Sequence, residues 1–314
     1  MHILITGGCG YIGTLLTNNL IDLGYEVTVV DTQWFGNYLI PRKNLKVVKL
    51  DIRDHEKIPL KEIDTVVHLA NIADVTSVEL NAKLSWEVNV LATQKLIENS
   101  IKNKIKQFIF ASSGSVYGVK EEKEVTEELS LVPISTYNKT KMIAERVLRS
   151  YENDIKFHCI RPATVCGFSP RMRLDLSVNN LTFLALKFKS MSVSGGDQIR
   201  PNIHIQDLIN VYKHFISNPD LPTGLYNAGF ENLKIIEVAQ KVAKIIPSKI
   251  VIKENNDPRS YRQNSNKLLS TGFKNKFSVF DAIEDLKEKY ESKELTESDR
   301  CYTAKWIRKL NLSN

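Results

Sequence analysis

Short apolar runs rich in Val and Ile alternate with helical patterns through the first half of the sequence. Five of these runs predict strands, at residues 2–5, 26–30, 45–49, 65–69 and 107–110. They lack the regular polar–apolar alternation of a strand with one solvated face, so both faces are expected to be buried. Burial on both faces requires helices above and below a parallel sheet. The pattern therefore predicts a doubly wound α/β fold.

The alternation loosens in the second half of the sequence, which indicates two unequal parts. We expect a Rossmann-type nucleotide-binding domain over residues 1–165, to which some later segments return. A smaller C-terminal substrate-binding lobe is expected over 166–290, with a helix near 176–187. Residues 291–314 form a charged tail for which the pattern predicts a helix at 304–310 but no function.

The composition is that of a folded globular protein with a positively charged surface. Hydrophobic residues make up 42% and charged residues 25% of the 314 positions, and the formal net charge is +7. The Lys and Arg residues are spread along the chain, so a phosphorylated small molecule accounts for the charge as well as nucleic acid does. No basic helix or aromatic–basic platform is present, and a nucleic-acid partner is therefore not expected.

The cysteines and the N-terminus indicate the compartment. The four cysteines show neither a CxxC pair nor metal-ligand spacing, so we expect free thiols in a reducing environment and no metal site. The N-terminal residues combine no basic segment with a long apolar run, which predicts neither a signal peptide nor a membrane span. A cytoplasmic protein without a membrane partner is expected.

A glycine-rich turn follows the first predicted strand and opens the next predicted helix. It reads Thr6-Gly7-Gly8-Cys9-Gly10-Tyr11-Ile12-Gly13. Gly7 would permit the tight bend, Gly10 would let the backbone approach a pyrophosphate, and Gly13 would let the helix pack on the sheet. The N–H groups and positive dipole of the helix N-terminus would face the phosphates. The motif predicts a dinucleotide site that includes Tyr11 and Ile12.

An acidic residue at the end of the second predicted strand bears on the choice of dinucleotide. Asp31 lies eighteen residues after Gly13, close to the position from which a carboxylate accepts the adenosine ribose hydroxyls. A carboxylate there repels a 2′-phosphate, and the next three residues include no Arg, so NAD is favoured over NADP. Asp51 and Ile52 end the third strand within reach of the adenine. A plain turn is the alternative for Asp31, and for Asp51 it is about equally well supported.

A Tyr and a Lys spaced by four residues follow a helix start predicted near Ser135. Tyr137 and Lys141 share one helical face. An ammonium beside a phenol stabilises the phenolate, and a nearby oxidised nicotinamide adds positive charge, so Tyr137 is a candidate base near neutral pH. Ser113 follows the fifth strand at its carboxyl end, where open α/β sheets bind ligands, and its hydroxyl can share the reacting proton.

These motifs resemble a known family when they are taken in order. TGGxGxxG at 6–13, HLA at 68–70, SSxSVYG at 112–118 and YxxxK at 137–141 have the order and spacing of the extended short-chain dehydrogenases/reductases. Within them, the sequence looks like the nucleotide-sugar epimerase/dehydratase family over nearly all of the chain to about residue 290. The resemblance implies NAD as cofactor and a nucleotide-diphosphate sugar as substrate.

The resemblance also implies roles for individual residues. Tyr137 corresponds to the catalytic base, Lys141 to a ribose anchor that tunes its pKa, and Ser113 to the hydroxyl partner. Ser112 and Ser115 are the alternatives to Ser113. Asn89 resembles an Asn on the helix behind the nicotinamide-side strand, with capping of a neighbouring loop as the alternative. Further cofactor contacts are implied for Leu69, Ala70 and Pro162.

The second lobe contains a set of residues that resembles the family's substrate side. Arg200 and Arg259 look like the arginines that hold the substrate pyrophosphate, a task that suits a guanidinium fork. Arg262 is a second choice beside Arg259, and a solvated surface charge is the alternative for each. His204 is interpreted as a packed strand residue. The other implied substrate contacts are Ser115, Thr164, Arg173, Asn179 and Asn180.

The groups that are missing narrow the predicted reaction. Family 4,6-dehydratases carry an Asp–Glu pair just after the Ser or Thr, and the decarboxylases carry a Glu, whereas this sequence has Gly114 and Ser115. Epimerase-reductases acting at C3 and C5 use an additional Cys and His with NADPH, whereas Asp31 favours NAD. With these three reaction types disfavoured, the predicted reaction is that of a 4-epimerase, which oxidises the sugar at C4 and returns the hydride to the opposite face.

Several alternatives stay open at this point. A nucleotide-sugar 4-dehydrogenase would release the keto sugar or pass the hydride on. Residues 169–175 resemble the family's nucleotide-diphosphate side, and also relatives that handle GDP-heptoses. Thr164 stands where UDP-galactose epimerases have Asn, so the base and the sugar are open. A non-catalytic NAD-binding scaffold or redox sensor is the alternative from another class.

Helices predicted at 84–101 and 137–151 resemble a pair that forms a four-helix dimer interface, so a homodimer is expected.

Overall fold

The strands form one large sheet and two small ones in the computed structural model, which describes residues 1–254 and 260–312. Within these ranges the strands are β1 (His2–Thr6), β2 (Glu26–Asp31), β3 (Leu45–Lys49), β4 (Thr65–His68), β5 (Gln107–Ala111), β6 (Lys156–Pro162), β7 (Thr164–Cys166), β8 (Ser190–Ser194), β9 (Ile199–His204), β10 (Gly224–Ala228), β11 (Glu231–Lys234) and β12 (Lys249–Lys253).

The large sheet has seven parallel strands in the order β10-β6-β5-β4-β1-β2-β3. Read from β3, this is the 3-2-1-4-5-6 order of a doubly wound fold, extended by β10. The predicted fold class is therefore confirmed. All five predicted strands are present, with ends that differ from the predicted ones by no more than one residue.

Helices cover both faces of this sheet, and others belong to the smaller lobe. They are α1 (Tyr11–Asp22), α2 (Val75–Leu80), α3 (Ala82–Trp86), α4 (Ala92–Lys102), α5 (Thr136–Ser150), α6 (Ser177–Phe188), α7 (Ile205–Ser217), α8 (Ile235–Ile245), α9 (Asn266–Leu269), α10 (Val279–Glu291) and α11 (Thr303–Lys309). Ser135 caps α5 by accepting a hydrogen bond from the Asn138 N–H at 3.2 Å, at the predicted start.

Alternate residues along the central strands enter different cores, which explains why the strands are apolar throughout. Ile3 and Ile5 of β1 pack with α1 and α7 on one face. Leu4 of the same strand packs with α4 and α5 on the other face. All three side chains are completely buried. A strand in this position has no solvated face that could accept polar residues.

One predicted helix is interrupted. The pattern predicts a continuous helix over 84–101, but α3 ends at Trp86 and a π-helical turn, Glu87–Leu91, precedes α4. The turn directs the buried Asn89 side chain toward Ile72, whose backbone N–H and C=O it binds at 2.8 and 3.1 Å. A wide turn of this kind often marks a position where a helix serves a neighbouring segment.

The second half of the chain builds a smaller lobe and then returns to the large sheet. β7, β9 and β11 form a three-stranded sheet, and β8 pairs with β12. A separate apolar core lies between α6, α8 and α10. The predicted tail helix is present as α11, which packs on the nucleotide-binding side through a Trp306 Nε1–H bond to the Trp34 carbonyl at 2.6 Å. In the described part of the chain, no helix is both long and apolar enough to cross a bilayer.

Candidate active site

A cavity of about 680 Å³ opens at the carboxyl ends of the central strands. Its volume is in the range of small-molecule sites, and its place is the one where open α/β sheets bind ligands. Most residues predicted for the site line this cavity: Gly7, Gly10, Tyr11, Ile12, Gly13, Asp31, Asp51, Ile52, Leu69, Ala70, Ser113, Ser115, Tyr137, Pro162, Thr164, Arg173 and Arg200.

Neighbouring backbone leaves no room for side chains at two positions of the glycine-rich turn. A Cβ on Gly13 would lie 2.2 Å from the Gly7 carbonyl oxygen, and one on Gly7 would lie 2.6 Å from the Ala70 nitrogen. Gly7 also has a φ of +75°. Gly10 caps α1, so the free N–H groups of the first helical turn face the cavity. This geometry suits a pyrophosphate.

Asp31 ends β2 on the cavity wall. Its carboxylate accepts hydrogen bonds from the Gln33 N–H at 2.7 Å and from the Cys9 N–H at 3.0 Å. Burial raises the pKa of Asp31 above its usual range, against these two bonds. The carboxylate is thus fixed beside the glycine-rich turn, with lone pairs available for two ribose hydroxyls.

Tyr137 reaches the cavity from the first turn of α5 and meets the serines that follow β5. Ser113 Oγ lies 2.8 Å from Ser115 Oγ, which donates to Asn138 Oδ1 at 2.9 Å. Burial raises the pKa of Tyr137 to about 12, although a hydrogen bond from Ser113 and the charge of Arg173 act in the opposite direction. The phenol and the Ser113 hydroxyl are therefore close enough to share a proton.

Lys141 does not line the cavity, in contrast to the prediction from sequence. Its Nζ donates to the Ala111 carbonyl at 2.7 Å and lies 4.9 Å from the centre of the Phe110 ring. Burial lowers the pKa of Lys141 to about 7. Four residues beyond Tyr137, the side chain enters the interface between α5 and β5, where a buried amine needs a carbonyl partner.

Three predicted asparagines support the cavity from behind instead of lining it. Asn89 binds the Ile72 backbone, so the capping alternative describes its position. Asn179 accepts from the Gly167 N–H at 3.0 Å and donates to the Arg173 carbonyl at 2.9 Å, and Asn180 donates to the Leu174 carbonyl. Amide side chains bond backbone so readily that sequence alone does not separate them from ligand contacts.

Of Arg259 and Arg262, the two candidates for one substrate contact, the structure describes only Arg262. Arg259 lies outside the described residues. Arg262 is exposed, and its Nη1 donates to the Asn232 carbonyl at 3.4 Å. It is not part of the cavity wall, so the surface-charge alternative describes its position.

Comparisons with known proteins decide the family. The model of the NAD dependent epimerase/dehydratase family matches residues 3–229. The chain belongs to this family. It is therefore an enzyme of the epimerase/dehydratase class, and the predicted cofactor, NAD, agrees with the family's NAD dependence.

Individual members of the family are similar to this chain over most of its length. The UDP-glucose 4-epimerase of Lactobacillus helveticus is 28% identical over 312 residues, covering 90% of this chain and 94% of that protein. UDP-glucose 4-epimerase 4 of Oryza sativa subsp. japonica is 34% identical over 287 residues, covering 79% and 77%. The solved structure of Thermotoga maritima UDP-glucose 4-epimerase with UDP-glucose has a TM-score of 0.84 at 25% identity, covering 93% of this chain and 99% of that one.

For a member of this family, the cavity fits the cofactor. The glycine-rich turn leaves no room for side chains where a pyrophosphate would approach, and Asp31 lines the cavity beside it, where a carboxylate could accept ribose hydroxyls. Asp51 is bound by Arg53 through two guanidinium nitrogens, with Nη2 2.9 Å from Oδ2, which fixes the wall beside Ile52. At the opposite end, Arg200 lines the cavity with Tyr261.

Two carboxylates, neither of them given a role of its own from the sequence, hold Arg173 near Tyr137. Arg173 Nε donates to Asp175 Oδ1 at 2.9 Å, and its Nη2 lies 3.8 Å from Asp74 Oδ2. Although burial opposes ionisation, Arg173 holds the pKa of Asp175 below its usual range. The short spacing between Arg173 and Asp175 is a sequence signal for such a pair. Asp74 gives no such signal, because it comes from a distant loop.

The tail is the second part of the site that sequence reasoning missed. Tyr302, Thr303, Ala304, Lys305 and Ile307 line the cavity, on the side of Trp34, Phe35 and Gly36. The Thr303 N–H also donates to Asp175 at 2.9 Å. A segment for which no role was predicted therefore forms part of the cavity wall.

Proposed function

We propose that this protein is an NAD-dependent nucleotide-sugar 4-epimerase. The observation that carries the proposal is the surroundings of Tyr137, whose phenol meets the hydroxyl of Ser113 in the same cavity as the glycine-rich turn. Ser115 and Thr164 add further hydroxyls to this wall. Among the residues that the structure describes, no His and no Glu lines the cavity. Such a site is equipped to move one proton at a sugar hydroxyl.

The chain's own groups account for the proton transfer. Because burial raises the pKa of Tyr137, its action as a base near neutral pH requires the positive charge that an oxidised nicotinamide would bring. As a phenolate, Tyr137 would remove the proton from the C4 hydroxyl, and Ser113 would hold that hydroxyl and the phenol in line through its own O–H. When bound, NAD supplies the acceptor and later the donor of the C4 hydride. Tyr137 returns the proton after the sugar has presented its other face. The same pair of groups serves both half-reactions, so no second acid is needed.

The charged groups near Tyr137 argue against water elimination. Asp74 and Asp175 are the carboxylates beside Arg173, and both are engaged. Asp74 accepts from the Ser77 N–H at 2.9 Å and from its hydroxyl at 2.7 Å. A general acid must be protonated near neutral pH, whereas Arg173 keeps Asp175 ionised. These carboxylates are better suited to orienting Arg173 than to protonating a leaving hydroxyl.

The substrate is proposed to be a nucleotide-diphosphate sugar. Arg200 lines the cavity at the end away from Asp31, where a guanidinium can bind a pyrophosphate. The relatives described as UDP-glucose 4-epimerases support a UDP-sugar as the first choice. Lys141 is proposed to assist by fixing the end of β5 through Ala111, next to Ser113. The role of Lys141 as a ribose anchor stays a prediction.

The cytoplasmic location of the protein also stays a prediction. The protein is further proposed to act as a homodimer.

The proposal is tested with the purified protein and a panel of UDP-, GDP-, CDP- and dTDP-sugars, with products identified by NMR and NADH followed by its near-ultraviolet absorbance. One sugar is expected to yield its C4 epimer without accumulation of NADH. Accumulation of NADH or release of a 4-keto sugar would instead assign a 4-dehydrogenase. No reaction with any sugar would favour the scaffold alternative.

Tyr137→Phe is expected to lower turnover by roughly 100-fold to 10,000-fold, because general acid–base catalysis contributes about that much. NAD binding should be retained. The matched control is Tyr151→Phe just after the same helix, whose hydroxyl donates to Glu98 at 2.9 Å outside the cavity. Equal activity of the Tyr137 variant and the control would contradict the assignment of the base.

A further inference from the structure

Arg171 is a buried cation on the cavity wall. It lies in the loop between β7 and α6, and only 5% of its surface is exposed. Its guanidinium lies over the Phe35 ring, 3.9 Å from the ring centre. The wall at this point also includes Asp31 and Gly36.

Arg171 differs from the other deeply buried arginine in forming no ion pair with a described residue. Arg161 forms two hydrogen bonds with Glu145, at 2.9 and 2.7 Å. Among residues 1–254 and 260–312, Arg171 has no ion pair, and its buried Nε has no hydrogen-bond partner. The charges of Asp31 and Asp175 act on Arg171 only from beyond ion-pair distance. A buried guanidinium without a bonded anion is costly, and stacking on a ring offsets this only in part. The arrangement indicates that an anion from outside the chain completes it.

The loop that carries Arg171 is fixed to the glycine-rich turn. Tyr11, the first residue of α1, donates from its hydroxyl to the Gly167 carbonyl at 2.7 Å. Ser169 Oγ donates to the Tyr11 carbonyl at 2.7 Å. These two bonds bring Arg171 beside the N-terminus of α1, which itself favours anions.

The position relative to other charged groups identifies the class of anion. Arg171 stacks on Phe35, which follows Asp31 at the adenosine end of the site. Arg173 is already paired with Asp175, and Arg200 belongs to the opposite end of the cavity. Asp31 is held by the backbone and faces the ribose position. The anion that would lie between the start of α1 and Arg171 is a phosphate of the dinucleotide.

We propose that Arg171 binds a phosphate group of the dinucleotide cofactor from the substrate-lobe side, opposite the glycine-rich turn. The phosphate oxygens would then be bound by backbone N–H groups on one side and by a guanidinium on the other. The pyrophosphate, which all dinucleotides share, and the 2′-phosphate of NADP present the same oxygen chemistry. The pyrophosphate is the expected source because Asp31 disfavours a 2′-phosphate.

The test is titration calorimetry on the full chain, after bound nucleotide is removed, with NAD, NADP, ADP and adenosine as probes. Arg171→Met keeps the apolar stem and removes the charge. It should weaken NAD and ADP by about tenfold or more, as expected for a lost charged hydrogen bond, and leave adenosine unchanged. Arg171→Lys should lose less. The matched control is Arg149→Met at an exposed position of α5, which should bind all four probes normally.

The outcomes separate the two sources. Equal loss for NAD and NADP assigns the pyrophosphate, and loss confined to NADP assigns the 2′-phosphate. Unchanged affinity for NAD, NADP and ADP in the Met variant would overturn the proposal. Thermal unfolding of the nucleotide-free variants is the check on folding, and Arg171→Met should be no less stable than the wild type, since it removes an unpaired buried charge. If that variant does not fold, Arg171→Gln takes its place under the same criteria.

Discussion

At the scale of single residues, buried polar groups hold the site in place. His68, in the HLA segment at the end of β4, lies 2.6 Å from Thr6 Oγ1 through Nδ1 and 2.8 Å from Thr93 Oγ1 through Nε2. Burial, with a smaller contribution from the charge of Lys141, lowers the pKa of His68 from 6.5 to about 3. The folded protein therefore keeps this ring neutral.

This neutral histidine predicts acid sensitivity. Between pH 6.5 and about 3 the unfolded chain binds a proton at His68 that the folded chain does not, so acidification favours unfolding. The free energy of unfolding should fall by up to about 1.4 kcal/mol per pH unit from this group alone. Urea denaturation across the range from neutral to mildly acidic pH measures the slope. His68→Gln should reduce it, and an unchanged slope would show that His68 does not carry this effect.

Sequence predicts the position of a residue well where a motif acts locally, and less completely where a side chain can choose between several partners. The glycines and Asp31 face the cavity because the backbone path after β1 and β2 sets their direction. Lys141 lies on α5 with Tyr137 as predicted, yet its amine ends at the Ala111 carbonyl. Arg171 was identified from sequence only as part of residues 169–175, which resemble the nucleotide-diphosphate side, because only the folded structure shows that it lies buried on the cavity wall without an ion-pair partner.

At the scale of elements, hydrophobic pattern predicted the strands well because their burial on both faces leaves little choice of residue. The pattern could not predict the π-helical turn at Glu87–Leu91. Its residues continue the helical pattern of the flanking segments, and the turn depends on the contact of Asn89 with Ile72 in a distant loop. Long-range partners of this kind are absent from any local window of sequence.

The helices α4 and α5 share one apolar core with the central sheet, and they are predicted to form the dimer interface through their outer faces. Leu91, just before α4, is 56% exposed. Leu91→Glu should therefore place a charge at the interface and convert the dimer to a monomer, as measured by size-exclusion chromatography with light scattering. Leu23→Glu, at an equally exposed leucine after α1, should stay dimeric. A wild-type monomer at micromolar concentration would contradict the dimer.

At the scale of the whole molecule, the chain returns twice to the nucleotide-binding side after building the second lobe. The first return is β10, which adds a strand beside β6. The second is the tail, whose helix α11 packs on α2. The end of the tail is fixed by the Asn81 side chain, which donates to the Leu312 carbonyl at 2.7 Å. The boundaries expected near residues 165 and 290 therefore separate segments of sequence that share one cavity. The tail could be predicted as a helix from its pattern, but its place on the cavity wall depends on tertiary contacts with Trp34 and Asp175.

A single site that removes and returns the same C4 hydride is the centre of the proposed mechanism. The most direct test is conversion of UDP-glucose carrying deuterium at C4, or of whichever panel sugar is turned over, with products examined by NMR and mass spectrometry. The mechanism predicts a C4 epimer that retains its deuterium at C4, because the hydride does not leave the cavity between the two half-reactions. Deuterium found in released NADH, or lost to the solvent, would contradict a 4-epimerase with this geometry.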